Sequence, residues 1–407
     1  MKRPKSDARN GLSRRAAFAL TGASLAVAAA RPARAAGQSI AIGYIRSMAR
    51  PPTISLLDRR VADDGIAGAH VGIDDNNTTG RFMGQSFALT DRPVQPADDP
   101  TAALASLAAQ QIGLVLTDLP ADDVSKLAAA AAAHGITIFN IQAPDDRLRE
   151  QDCRGNVIHV APTRSMLADA LAQYLIWKRW TRWLLVYGSH PTDTLLADAY
   201  RRSAKRYGAR LVQQREFKDI GGSRQTDSGL AETQAQMPVF TQNAPNYDVL
   251  VAADENEVFA GYLPYRTWDA RPVVGSAGLI PCTWSPAMEA WGGTQMQDRF
   301  QRDYHRQMTP LDLQAWTAVR MVGEAASRTQ SADPAKIMAY MKGPDFQIAA
   351  YKGKPLSLRN WNWQLRQPIL LSDGRNVVSV SPQAGFLHQV TDLDTLGVDR
   401  PETSCKL

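Results

Sequence analysis

Asp118, Asp145, Asp146, Asp254 and Glu255 each stand at or just beyond the end of a short apolar run in this 407-residue chain. "IGLVLT" leads to Asp118, "ITIFNI" to Asp145 and Asp146, and "YDVLVAA" to Asp254 and Glu255. Carboxylates brought together unpaired repel one another, and hard cations take oxygen ligands, so the chemistry this set suggests is the binding of a cation, an amine or a polyol. Asp118, Asp145, Asp254 and Glu255 are the candidate metal ligands. Other acidic residues have plainer roles: Asp99 and Asp122 sit where helices begin and read as caps or first-turn charges.

A second stretch, "DDNNTTGRFMGQS", places Asp75, Asn77, Thr79 and Gly80 at positions 1, 3, 5 and 6 of a calcium loop. Position 12 of such a loop needs a bidentate Glu and here is Ser86, which leaves the cage short of oxygens. The stretch reads instead as a helix from about Asp64 to Asn77 ending in a polar turn, with Asn76, Asn77 and Gly80 as the stop. Catalysis finds little support. The six histidines, His70, His134, His159, His190, His305 and His388, have no metal spacing, and "GYIRSMARPP" after the first apolar run is no glycine-rich cofactor turn. His190 follows a strand end and stays a candidate binding residue.

The elements that must position these groups alternate. "SIAIGYI", "SFALT", "IGLVLT" and "ITIFNI" are strand-like, and "DPTAALASLAAQQ" and "ADDVSKLAAAAAAHG" between them are helical, the second closed by Gly135. The order restarts with "NVIHVAP", a helix from about Arg164 to Lys178, "RWLLVYG", "DTLLADAYRRSAKRYG", "ARLVQQREF", "YDVLVAAD" and "RPVVGSA". Two open α/β lobes in series follow from that pattern. In open parallel sheets ligands bind beyond the carboxyl ends of the strands. The binding candidates are therefore Arg46, Thr117, Asp118, Ala143, Asp145, Tyr187, Ser189, His190, Asp254, Glu255 and Ser276. Trp177, Trp180 and Trp183 are read as packing a helix on its sheet. "WNWQLRQPILL" is read as a late strand that presents Trp361 and Trp363 to one side.

Basic residues up to Arg15, an alanine-rich run from Ala16 to Ala30 and small residues around Ala35 and Ala36 make residues 1–36 an export signal. "SRRAAFAL" carries the twin arginines of the route for folded proteins, with Phe18 one place late for the usual motif. The leader holds eight of the 46 basic residues and one of the 40 acidic ones, so the remainder has a net charge of −1 and loses the basic surface a nucleic-acid partner would need. Cys153, Cys282 and Cys405 then sit where disulfides persist, and a Cys153–Cys405 pair would tie the tail to the body; three free thiols are the alternative.

The span "IHVAPTRSMLADALAQYLIWKRWTRWLLVYGSHPTDTLLADAYRRSAKRYGARLVQQREF" resembles the middle of periplasmic substrate-binding proteins of the branched-chain amino acid and amide class. More closely, "RPPTISLLD", "DDNNTTGRFMGQ", "APDDRLR", "TDSG", "YLPYRTWDARPV" and "SVSPQAGFLHQ" look like the subgroup encoded with alcohol dehydrogenases that use pyrroloquinoline quinone. The resemblance implies a type I periplasmic binding protein: two Rossmann-like α/β lobes, a central ligand cleft and a multi-strand hinge. It implies a periplasmic monomer that hands its ligand to an ABC permease and ATPase, with no catalysis and no required cofactor. Residues 37–160 and 286–343 would form lobe 1, 161–285 and 344–390 lobe 2, and 391–407 a tail. Amino-acid binders of the class carry Ser-rich and Ser/Thr turns where this chain has "TDLP" and "APDD", and those acids would repel a ligand carboxylate. The expected ligand is therefore a hard cation such as a lanthanide, or a small alcohol-related solute; a sensory or accessory role in the dehydrogenase system is the alternative.

Overall fold

The computed structural model describes residues 37–49, 61–219 and 227–407, with side chains left aside for 227–231. The export signal and the motif "RPPTISLLD" lie outside the described residues, as does the first residue of "TDSG". The first sheet starts with β1 (Gln38–Ser47), α1 (Ile66–Met83), β2 (Gln85–Val94), α2 (Pro100–Ala109), β3 (Leu114–Asp118), α3 (Ala121–Ala132), β4 (Thr137–Asn140) and β5 (Val157–His159). Its order is β2-β1-β3-β4-β5 and every pairing is parallel. Parallel pairing needs a crossover over each step, which the intervening helices provide. β3 is buried along its whole length, as a strand covered on both faces must be.

α1 does not stop at Asn77. It runs through Asn76, Asn77 and Gly80 to Met83, and Gly84, at φ 68°, closes it in the left-handed region. The polar side chains that read as a stop are used elsewhere. Asn76 is buried and donates to the Val319 carbonyl at 2.8 Å, while Asn77 brackets Phe87, accepting from its N–H at 2.7 Å and donating to its carbonyl at 3.0 Å.

The second sheet repeats the plan: α4 (Arg164–Trp177), β6 (Arg182–Gly188), α5 (Pro191–Tyr207), β7 (Arg210–Phe217), α6 (Asp227–Thr241), β8 (Val249–Ala253), the short α7 (Leu263–Arg266) and β9 (Val273–Gly275). Its order is β7-β6-β8-β9, again all parallel. Trp183 is fully buried in this core, but Trp177, expected to pack a helix on its sheet, is 57% exposed.

The chain then returns. After β10 (Ile280–Cys282) and α8 (Gly293–Tyr304), α9 (Pro310–Thr329) packs on α1, and α10 (Pro334–Met341) packs on α9. Contact between α1 and α9 is close enough to exclude a side chain: a Cβ on Gly68 would lie 2.0 Å from the Asp312 carbonyl oxygen. β11 (Ser357–Leu358) and β12 (Leu365–Arg366) form a small hairpin, and β13 (Ile369–Ser372) joins β10 and β14 (Val377–Ser381) in an antiparallel sheet against α4. "WNWQLRQPILL" is thus not one strand. Trp361 and Trp363 lie in the turn between β11 and β12, where Trp363 takes φ 53° and packs under Lys342, and Trp361 stacks with Arg359 and Arg366.

Candidate functional site

The ends of β3 and β4 belong to the first sheet and those of β6, β8 and β9 to the second, and what joins them is Arg164. It is the first residue of α4, behind the cap Thr163, whose hydroxyl accepts from the Met166 N–H at 3.0 Å. The guanidinium makes a bidentate contact with Glu255, Nε to Oε1 and an Nη to Oε2, both at 2.7 Å. Its other Nη lies 3.2 Å from Asp145. The Arg164 side chain is 5% exposed, Asp145 18% and Glu255 25%, so the ion bridge is shielded from water and strong. Burial pushes the Glu255 carboxyl up and Arg164 pulls it down.

Arg164 was absent from the sequence candidates. One signal for it exists: a cation in the first turn of a helix works against the helix dipole, so it needs carboxylates close by. Asp146 contributes beside it, accepting from the Ser165 N–H at 3.3 Å. Two further buried groups fix the turn that carries Asp145. Asn140 accepts from the Ala143 N–H and donates to the Ala143 carbonyl, both at 2.9 Å. Arg149 donates to the carbonyls of Ala143, Asp145 and Ala161 and to Gln364, at 2.8, 3.0, 2.7 and 2.9 Å, and burial pushes its guanidinium down to about 9.

On the second sheet, Asp193 of α5 is fully buried and accepts from the N–H groups of Glu255 and Asn256 at 2.7 and 3.2 Å, which sets the backbone from which Glu255 reaches Arg164. Asp254 faces its own loop. It accepts from the N–H groups of Val258, Phe259 and Ala260 at 3.0, 2.8 and 2.7 Å, and its own N–H donates to Ser276 at 2.9 Å. Ser189 and His190 both serve Asp219: the hydroxyl accepts from the Asp219 N–H at 3.0 Å and Nε2 lies 2.9 Å from its carboxylate. Tyr187 packs under Arg201.

The remaining candidates are on the first sheet. Arg46 contacts Asp91 through Nε and Nη at 3.0 Å each, and lines a small hollow with Asp64 and Asp118. Thr117 and Asp118 are buried at the end of β3, and Ala143 is buried in the turn after β4.

The expected metal cluster is not formed. Asp254 is held by three backbone N–H groups, Asp145 and Glu255 already share a guanidinium, and among the described residues no group of three or more His, Cys, Asp or Glu side chains is placed to hold a metal ion. Cys153 and Cys405 form a disulfide with a Cα separation of 5.7 Å. Cys282 is free, and burial pushes its thiol up to about 11.

Several solved structures share this architecture. A branched-chain amino acid ABC transporter periplasmic ligand-binding protein from Burkholderia xenovorans superposes with a TM-score of 0.66 at 16% identity, covering 84% of this chain and 95% of that one. An ABC transporter substrate-binding protein from Desulfitobacterium hafniense, in complex with Leu, gives 0.61 at 16%, covering 83% and 98%. A solute binding protein from R. palustris in complex with benzoate gives 0.62 at 13%, covering 91% and 100%. No curated protein matches the sequence. The sequence model of the periplasmic binding protein family matches residues 58–369, and the chain belongs to that family.

Proposed function

We propose that the chain is the periplasmic solute-binding component of an ABC transporter, with lobes 37–160 plus 286–343 and 161–285 plus 344–390, and that its solute binds where the strand ends of the two sheets face each other. The observation that carries this is the Asp145–Arg164–Glu255 bridge, which gathers groups from both sheets at one point. It also bears on the ligand. Three of the five N–H groups of Arg164 are engaged, and the carboxylates keep lone pairs, so the bridge offers donors and acceptors side by side. A hydroxyl both donates and accepts, and a small polyol or alcohol suits such a set without adding charge. A lanthanide would have to displace Arg164 from both acids. The resemblance to the subgroup encoded with quinone-dependent alcohol dehydrogenases supports the same solute class and links uptake or sensing to alcohol oxidation; a neighbouring permease and ATPase gene would favour transport.

A second reading rests on Arg164 itself. A guanidinium is a bidentate carboxylate receptor, and the neighbours above hold Leu and benzoate, so an organic acid could take over Arg164 from Glu255. The leader-free protein, tested by thermal shift against polyols, alcohols, amines, organic acids, calcium and lanthanides, separates these. A ligand bound only by the folded chain adds ~2.7 kcal/mol of stability at a hundred times its dissociation constant. Polyols are expected to raise the melting temperature, with the shift lost in Glu255→Gln. A shift with organic acids alone selects the second reading, and one with lanthanides alone overturns both.

A further inference from the structure

A pocket of about 720 Å³ lies away from the strand ends, walled by the β11–β12 turn and by residues 387–401. Its size is that of a small-molecule site. On one wall the Arg366 guanidinium lies 5.3 Å from the Trp361 ring centroid, and that of the buried Arg359, which does not line the pocket, lies 5.2 Å from it. Both arginines also hold Asp394, at 3.0 and 2.8 Å, which satisfies that buried carboxylate. The second acid, Asp399, is taken by His388 at 3.0 Å. The wall's acids thus have their partners within the wall, and one lining cation is left over: the Arg400 guanidinium has no acidic partner among the described residues. Leu387 and Val390 stand on the rim at 89% and 76% exposure, apolar surface that water meets on an otherwise polar face.

A flat apolar wall, two exposed aliphatic side chains and a single uncommitted cation define a chemical partner: an anion with a flat apolar body. We propose that this pocket is a second ligand site and that it takes a small aromatic carboxylate, the body against Trp361, Leu387 and Val390 and the carboxylate on Arg400. None of its lining residues stands at a strand end of the two parallel sheets, so the proposal stands apart from the reading of the cleft. A site here borders the turn whose Gln364 donates to the carbonyls of His159 and Ala161, at the passage from the first sheet to α4.

Calorimetric titration of the leader-free protein with 2-naphthoate tests this, with 2-naphthamide as the uncharged control. The naphthoate is expected to bind at least tenfold more tightly than the amide, since a charge-assisted hydrogen bond is worth that factor or more. Arg400→Ala should remove that tenfold preference, Leu387→Asp should abolish binding, and Glu255→Gln in the cleft should leave it unchanged. Both altered side chains in the pocket are exposed, so their melting temperatures should match the wild type. No binding by the wild type, equal affinity for amide and acid, or binding lost in Glu255→Gln but kept in Arg400→Ala overturns the proposal while leaving the cleft reading untouched.

Discussion

Arg164 shows what a single residue does here and what a sequence hides. Asp145 and Glu255 were legible as site candidates because each follows a buried strand, and strand ends are where open sheets bind ligands. Their partner was not legible, since Arg164 and Glu255 are 91 positions apart and nothing local couples them. Replacing Arg164 with Ala would leave two partly buried acids facing each other unpaired, and we expect a loss of ~3 kcal/mol in urea unfolding, the lower end for one partner of a buried pair because Glu255 keeps some exposure. Adding Glu255→Gln should recover part of that loss. Lys352 gives a pH test of a different kind. It is fully buried, donates to Gln367 at 2.6 Å and to the Pro368 carbonyl at 3.2 Å, and burial pushes its ammonium down to about 7 from 10.5. Between those values the unfolded chain holds the proton and the folded chain does not, so stability contributed at this site rises with pH. Unfolding at pH 8 and 9 should show the wild type gaining ~1.4 kcal/mol over Lys352→Met across that pH unit; parallel curves would mean that the folded ammonium keeps its ordinary proton affinity.

At the scale of elements, period and punctuation carried most of the fold. The strand runs of both sheets, the cap at Asp99 and the end of the run "DTLLADAYRRSAKRYG" at Gly208 are where alternation, Pro and Gly placed them. Two elements escaped for the same reason, a tertiary partner that overrides a local preference. Asn76 and Asn77 continue α1 because Val319 and Phe87 satisfy their amides, and the Trp361–Trp363 segment turns where the Trp363 carbonyl accepts from the His159 N–H and the Gln364 amide donates to the carbonyls of His159 and Ala161. The α1–α9 contact makes the element-scale prediction. Asp312 is fully buried at the start of α9, accepts from the N–H groups of Gly65 and Gly68 and pairs with Arg306 at 2.6 Å, so the two helices are held at a fixed short distance. Gly68→Ala must push them apart against that anchor, at a cost of roughly 3 kcal/mol, the upper end for overpacking. Gly84→Ala, with open space around it, should cost far less, and an unfolding comparison of the two separates packing from backbone strain.

In the whole molecule the tail becomes a mechanical part. Residues 395–397 dock on the helices over the second sheet: the Gly397 N–H donates to Asp169 at 2.8 Å, Arg202 donates to the Gly397 carbonyl at 3.0 Å, and Gln173 donates to Thr395 at 2.9 Å. A few residues later Thr403 and Ser404 contact Glu150, and Cys405 is bonded to Cys153, both between β4 and β5 of the first sheet. The tail therefore runs from one sheet's helices to the other sheet's edge as an added, covalently closed connection. Two-lobed proteins of this fold class close by rotation about the segments that cross between lobes, and a strap limits how far the lobes separate. Cys405→Ser releases one end of it. A cross-link closing a loop of 252 residues stabilises mainly by restricting the unfolded chain, so the variant should lose about 2–5 kcal/mol in unfolding. Its effect on shape is separate from that loss. Small-angle scattering at a temperature where both proteins are folded should give a larger radius of gyration for ligand-free Cys405→Ser than for the ligand-free wild type. The two should converge when the ligand found by thermal shift is added, because closure brings the lobes together with or without the strap. Equal radii in the ligand-free state would mean that the crossings alone set the opening angle, and that the disulfide acts only on the unfolded chain.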